Sequence, residues 1–258
     1  MFVDFVNQKI DIGILEDNEI NNSKVIQVLS EYVKLEDYSV FNIIMLDSPA
    51  PIFDESRSAT TRPLRSGLVI DRNPNTTGNC SIAYSAIDSS NNPYIITAGH
   101  CWAGQQGLGL YQGGSYIGTV SSRAHYGGAV DAMGIRVSSN ALLSNRIYNT
   151  ATRLSNLEVA GNDQIGDIVC KSGMHGNSCS IIHGKNANGY TTNRSFYGRR
   201  YFEGLRASLY SSQVGDSGGL IHHNNTLKGV HKGKLEGWTV YSHVTHVTRQ
   251  LGLTPVTW

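Results

Sequence analysis

The stretch PYIITAGHC, Pro93–Cys101, is an apolar strand that ends on a glycine, a histidine and a cysteine. Its β-branched and aromatic side chains, bounded by a proline and a glycine, have the composition of a short buried strand. A histidine at the end of such a strand, with a cysteine beside it able to cross-link the turn, stands on the rigid support that a general base requires. Alone, His100 reads more readily as a satisfied core histidine. Two further stretches decide between these: VDAMGIRV, Val130–Val137, and QVGDSGGLIHH, Gln213–His223.

Ser217 sits among three glycines and Asp216. A serine hydroxyl is a weak nucleophile near neutral pH and needs an adjacent base, which in turn needs a group to orient it. His100 is the candidate base. Acidic residues are sparse after residue 60, and most, such as Asp71, Asp88, Asp163 and Asp167, lie in polar or loop-like surroundings. Asp131 instead heads an apolar strand, where a carboxylate is costly to bury unless hydrogen-bonded. It is the candidate partner for the far nitrogen of His100.

The rest of the chain fits a β-rich body. Only 16% of the residues are charged and 28 are glycine. Short strands are expected at SIAYSAI, YIGTV, MGIRV, DIVCKSG, SCSIIHG, GGLIHH, LKGVHKG and WTVYSHV, and HVTRQLGL closes the chain as a helix. The fold class is all-β. The net charge of +1 conceals an asymmetry. Residues 1–60 hold eleven acidic and four basic groups; residues 61–258 hold nine and seventeen. The arginines are scattered and no aromatic-and-basic platform appears, so nucleic acid is not an expected partner. No apolar run reaches membrane-spanning length. The four cysteines, 80, 101, 170 and 179, allow three pairings; no CxxC pair points to zinc.

The pieces ITAGHC, VDAMGIRV and GDSGG occur in the order His, Asp, Ser, the order of the chymotrypsin triad. Residues from about 66 to 258 resemble a chymotrypsin-fold serine protease, and most of all its bacterial alpha-lytic protease and streptogrisin branch. The resemblance implies two six-stranded antiparallel β-barrels with a short C-terminal helix, and an endopeptidase working through an acyl-enzyme with catalytic His100, Asp131 and Ser217. It further implies an oxyanion hole from the Gly215 and Ser217 amides, disulfides Cys80–Cys101 and Cys170–Cys179, and an ion pair between Lys171 and Asp216. No cofactor or metal is implied. The partners are a protein or peptide substrate, and the enzyme is expected to be a monomer. The stretch GVHKG, Gly229–Gly233, resembles the pocket wall of glutamyl endopeptidases, which makes His231 the candidate reader of a Glu or Asp side chain, with Ser211, Ser212, Val214 and Gly233 completing the substrate site. The alternatives are an apolar side-chain preference and a catalytically silent, protease-shaped binding module. Lys232 stands where the family carries a serine near the catalytic aspartate, and the family's third disulfide has no counterpart.

Residues 1–60 read as a separate α/β unit. MFVDFVNQKIDIGIL alternates as a strand does, SKVIQVLSEYVK (Ser23–Lys34) has helical spacing after a Ser23 cap, and DYSVFNIIML is a second strand. The unit resembles the end of a bacterial protease pro-region, implying an intramolecular chaperone and inhibitor of the 61–258 protease domain. The stretch 47–67, with three of the six prolines, reads as an exposed linker to be cut between about Ser58 and Gly67. The family and the cysteines imply secretion, although no signal peptide is visible at the start of the chain.

Overall fold

The computed structural model describes residues 2–4, 9–14, 27, 41–45, 56–75, 79–191 and 198–258. It divides into two compact units, Met1–Asp54 and Glu55–Trp258. In the first, Phe2–Asp4 pairs antiparallel with Lys9–Ile14, which pairs in parallel with Phe41–Met45. Parallel neighbours require a crossover of a dozen or more residues, usually helical. The helix expected over Ser23–Lys34 falls in that crossover and outside the described residues, except for Gln27, which is helical.

Two large, mostly antiparallel sheets and a two-stranded one, Val69–Ile70 with Cys80–Ser81, build the second unit. One large sheet runs Thr254–Pro255, Tyr84–Ile87, Pro93–Thr97, Val130–Val137, Ser115–Gly127, Gly109–Gln112. The other runs Gly176–Ile181, Ile168–Gly173, Leu220–His223, Thr226–Leu235, Trp238–His243, Tyr201–Ser208, Gly184–Tyr190, with Asn156–Leu157 added in parallel against Thr226–Leu235. The all-β class and the closing helix, Val244–Leu251, are as expected, and the second sheet is larger than six strands. No helix among the described residues is long and apolar enough to cross a membrane.

Strand Val130–Val137 shows why the body holds together. Its side chains alternate between two interiors: Met133, Ile135 and Val137 join Leu68, Ile82, Ile95 and Trp102, while Val130 and Ala132 join Tyr84, Ile96, Leu220 and Val230. With both faces covered, the strand reads as almost continuously apolar. The helix adds Val244, Val247 and Leu251 to the second cluster, one face at helical spacing, and ends at Gly252 with φ +62°.

The expected linker differs. From Ser56 onward it is laid against the second unit rather than exposed along its length. Arg57 donates to the Gly67 carbonyl, Ser172 Oγ and Asn177 Oδ1, each at 3.0 Å. Leu64 and Ser66 are buried. A guanidinium with three acceptors in reach and a leucine entering the core outweigh the turn-forming composition of the segment.

Candidate active site

The pairing of Pro93–Thr97 with Val130–Val137 places Thr97 opposite Met133. Counting outward from that pair brings Asp131 beside the residues just past the strand end, Gly99 and His100, which begin the short helix Gly99–Trp102. His100 Nδ1 lies 2.7 Å from Asp131 Oδ2, and the His100 amide donates to Oδ1 at 2.8 Å. Gly99 permits this approach, because a Cβ there would run into the His125 carbonyl and reach 3.1 Å from Asp131 Oδ1. The Asp131 amide donates to Ser242 Oγ at 2.8 Å, and Lys232 Nζ stands 3.3 Å from Oδ2. Burial would raise the Asp131 carboxyl. The His100 and Lys232 charges and the His100 hydrogen bonds outweigh it and hold the group at about 2.

The turn Gln213–Gly219 is fixed from several sides. Ser81 Oγ donates to the Gly215 carbonyl at 2.8 Å, and the Ser81 amide donates to the Ser217 carbonyl at 2.7 Å. The Gly218 amide donates to the His231 carbonyl and the Gly219 amide to the Asp216 carbonyl, at 2.8 and 2.9 Å. From Gly215 to Gly219, only the amides of Gly215 and Ser217 have no hydrogen-bond partner among the described residues. Gly215 has φ +99°, a conformation open to glycine. Asp216 is buried and takes Lys171 Nζ at 2.7 Å, the Gln213 amide at 2.9 Å and the His175 amide at 2.8 Å. Burial would raise its carboxyl, but these donors hold it below the usual range. The Ser217 hydroxyl donates to the Lys232 carbonyl at 3.5 Å, and no hydrogen bond joins it to His100 among the described residues.

The disulfides are Cys80–Cys101, beside the His100 turn, and Cys170–Cys179, directly opposite one another in the hairpin that carries Lys171.

No family model matches the chain. Over 162 residues it is 28% identical to Serine protease 2 of Streptomyces fradiae, covering 60% of this chain and 87% of that protein. The crystal structure of Nocardiopsis protease superimposes with a TM-score of 0.61 at 27% identity, over 75% of this chain and 98% of that one. The chain has the chymotrypsin fold and is a serine-type endopeptidase. A glutamic-acid-specific serine protease, described as using a histidine triad in substrate binding, shares the fold with this protease at a TM-score of 0.60 and 21% identity, over 75% of this chain and all of that one.

A cleft of about 690 Å³ opens beside His100, lined by Tyr126, Phe202, Leu205, Lys232, Gly233 and Lys234. Lys232 also lies 4.3 Å from the Phe202 ring centroid, so its ammonium is shared between a carboxylate and an aromatic face. Of the protease's expected substrate residues, Gly233 lines this cleft, whereas His231, Ser211, Ser212 and Val214 do not. His231 is fully buried, with Nδ1 2.9 Å from the Tyr210 hydroxyl and Nε2 2.7 Å from Ser212 Oγ. Burial lowers its pKa to about 3, leaving it neutral near pH 7. Burial also pushes the Tyr210 phenol well above its usual range, so that it keeps its proton.

Sequence reasoning missed Tyr210, Ser242 and His175, and the contact of Lys232 with Asp131. It also read Asp163 as a loop carboxylate. That group is buried, with Arg206 Nε at 2.6 Å. No local signal marks these residues, because each depends on a partner far along the chain. The unusual Lys232 in the pocket wall was the one visible hint.

Proposed function

We propose that the protease cleaves peptide bonds through an acyl-enzyme on Ser217, with His100 as base and then acid and Asp131 orienting it. The observation that carries this assignment is the convergence of the His100–Asp131 pair and a serine turn with two unpartnered amides. With Nδ1 bonded to Asp131, His100 keeps Nε2 for the proton of Ser217. Ser217 Oγ turns from the Lys232 carbonyl toward His100 and attacks the substrate carbonyl carbon; catalytic hydrogen bonds commonly tighten only once substrate is bound. The oxygen takes up the negative charge facing the Gly215 and Ser217 amides. His100 returns the proton to the leaving amine as the C–N bond breaks. Water then repeats the sequence at the ester, giving the carboxylate and free Ser217.

For specificity the proposal is Glu or Asp on the acyl side of the scissile bond. A Tyr210 proton on Nδ1 fixes the His231 tautomer with its hydrogen on Nε2, donating to Ser212 Oγ. The Ser212 hydroxyl hydrogen is then left to meet a carboxylate, with Ser211, Val214 and Gly233 around the side chain and Lys232 and Lys234 supplying positive potential. The glutamic-acid-specific neighbour of the same fold supports this choice. The competing choice, an apolar side chain, draws support from the absence of any exposed His231 surface. Three peptide amides differing only in Glu, Arg or Phe before the scissile bond decide it, with Ser217→Ala as control. Cleavage of the Glu peptide above the others, falling at least about tenfold in Tyr210→Phe, is expected for the hydrogen-bonded chain. Preference for Phe would discard the acidic pocket and keep the triad. A folded protein that neither cleaves nor takes a fluorophosphonate on Ser217 would leave a silent binding module.

The N-terminal unit is proposed to act as a pro-segment of a secreted enzyme, its acidic excess opposite in sign to the basic excess of residues 61–258. The Arg57 contacts favour processing before Ser56 rather than between Ser58 and Gly67. Refolding of 55–258 at the same rate and yield with and without added 1–54 would remove the chaperone role.

A further inference from the structure

The backbone carbonyls around Ser217 are held mostly by buried groups, with one exception. Among the described residues the Val214 carbonyl accepts from His175 Nε2 alone, at 2.8 Å. His175 lies in the exposed turn between strands Ile168–Gly173 and Gly176–Ile181, and its own amide is tied to Asp216 Oδ1 at 2.8 Å. The base of the imidazole is thereby anchored to the carboxylate that the nucleophile turn is built around, and its tip reaches back over the preceding peptide.

The Val214 carbonyl and the Gly215 N–H belong to one planar trans peptide and point in opposite directions. Drawing the carbonyl toward His175 turns the Gly215 N–H the other way, and that amide is one of the two without a partner. Little else resists rotation of the plane. Val214 is 94% exposed and contributes no packing, and Gly215 accepts both signs of φ. On the opposite flank, the Gly215 carbonyl is fixed by Ser81 Oγ, so freedom is concentrated in the single peptide that His175 holds.

Resting on the proposed oxyanion role of the Gly215 amide, we infer that His175 is a positioning residue for catalysis: its Nε2–H holds the Val214–Gly215 peptide in the orientation that offers the Gly215 amide to the reacting carbonyl. His175 does not touch substrate. It acts through that one peptide, so its loss weakens binding of the transition state and leaves ground-state binding of the substrate almost unchanged.

The test uses the 258-residue chain, assayed after any self-processing is complete. His175→Ala is expected to lower kcat about tenfold, less than the hundredfold or more of a donor deleted outright, because the peptide still samples the right orientation. KM stays within about twofold, and the inhibition constant of a peptide aldehyde, which forms a tetrahedral adduct on the serine, rises by the factor that kcat/KM falls. His175→Gln, whose side-chain amide can also donate to the carbonyl, recovers most of the activity. Wild-type kcat in His175→Ala, or His175→Gln as impaired as His175→Ala, would overturn the inference. So would a fall in kcat with the aldehyde constant unmoved, because a merely structural loss has no reason to track the tetrahedral state. Absence of turnover and of Ser217 labelling in the wild type would instead overturn the assignment of the site, and the inference with it.

Discussion

Lys171 and Asp216 show how far a single residue's environment can be read before the fold is known. A lysine directly after Cys170 was legible as a partner for Asp216. The structure gives it 1% side-chain exposure, against 0% for the carboxylate. A buried pair of this kind adds little net stability over an apolar pair of the same size, but breaking it strands a charge. Lys171→Met and Asp216→Asn are each expected to destabilise a Ser217→Ala background by about 3–5 kcal/mol, and the double variant by clearly less than their sum. Urea unfolding of the four proteins measures this, and additive losses would mean the two groups act separately. Lys232 is the opposite case. Its position near Asp131 was visible, but not that its ammonium reaches the same Asp131 oxygen as His100. A four-carbon side chain has too many rotamers for sequence to fix its end. His231 was singled out as the reader of an acidic substrate side chain; that it is instead fully buried and bonded to Tyr210 and Ser212 depends on a segment about twenty residues upstream, which its own neighbours do not announce.

At the scale of elements, the strands that announced themselves are those with apolar side chains on one or both faces. Gly184–Tyr190 did not. Its sequence, GKNANGY, is polar and glycine-rich, and it lies at the end of the second sheet with alternate residues exposed. An edge strand with no buried face leaves no period in the sequence. Tyr201–Ser208 is interrupted by Gly204 at φ +70°, which breaks the alternation. The glycines of the nucleophile turn were legible as a group, and the structure now ranks them. A Cβ on Gly215 would meet the side chain of Met174, which can move. On Gly218 it would collide with Thr97 Oγ1 and come within 2.6 Å of the Ala98 amide nitrogen and 2.7 Å of the Ser81 carbonyl. Backbone cannot step aside without moving the strand end that carries His100. Both residues have positive φ, so each alanine is strained. Gly218→Ala is nevertheless expected to lose more stability than Gly215→Ala, by about 2 kcal/mol or more, and to lose activity even where it folds. Paired unfolding and fluorophosphonate-labelling measurements would show it, and equal losses would deny the backbone clash.

For the whole molecule, the class of fold followed from three motifs and a strand-rich composition, and the same motifs carry the proposed site, while the internal electrostatics did not follow, since burial is a property of the assembled body. That burial makes stability depend on pH in a definite direction. Burial lowers His231 to about 3 and His243 to about 4, and the buried His243 Nε2 has no hydrogen-bond partner among the described residues. In the unfolded chain both would take a proton near pH 6.5. Below that value the unfolded state binds protons that the folded state refuses, so stability is complete above about pH 6.5 and declines as the pH falls toward 4 and then 3. Asp131, held at about 2 against an ordinary 3.8, adds a second loss only below pH 4, as its folded-state advantage disappears. The melting temperature of Ser217→Ala, scanned at one heating rate to avoid self-digestion and unequal irreversibility, should therefore be level from pH 8 to 6.5 and drop steadily through pH 5, with a further fall below pH 4. His231→Gln and His243→Gln, whatever they cost at pH 8, should each flatten the upper part of that curve and leave the lower part in place. A melting temperature that stays level from pH 7 to 5 would mean that the folded protein charges these two rings without cost, and that water reaches the strands that bury them.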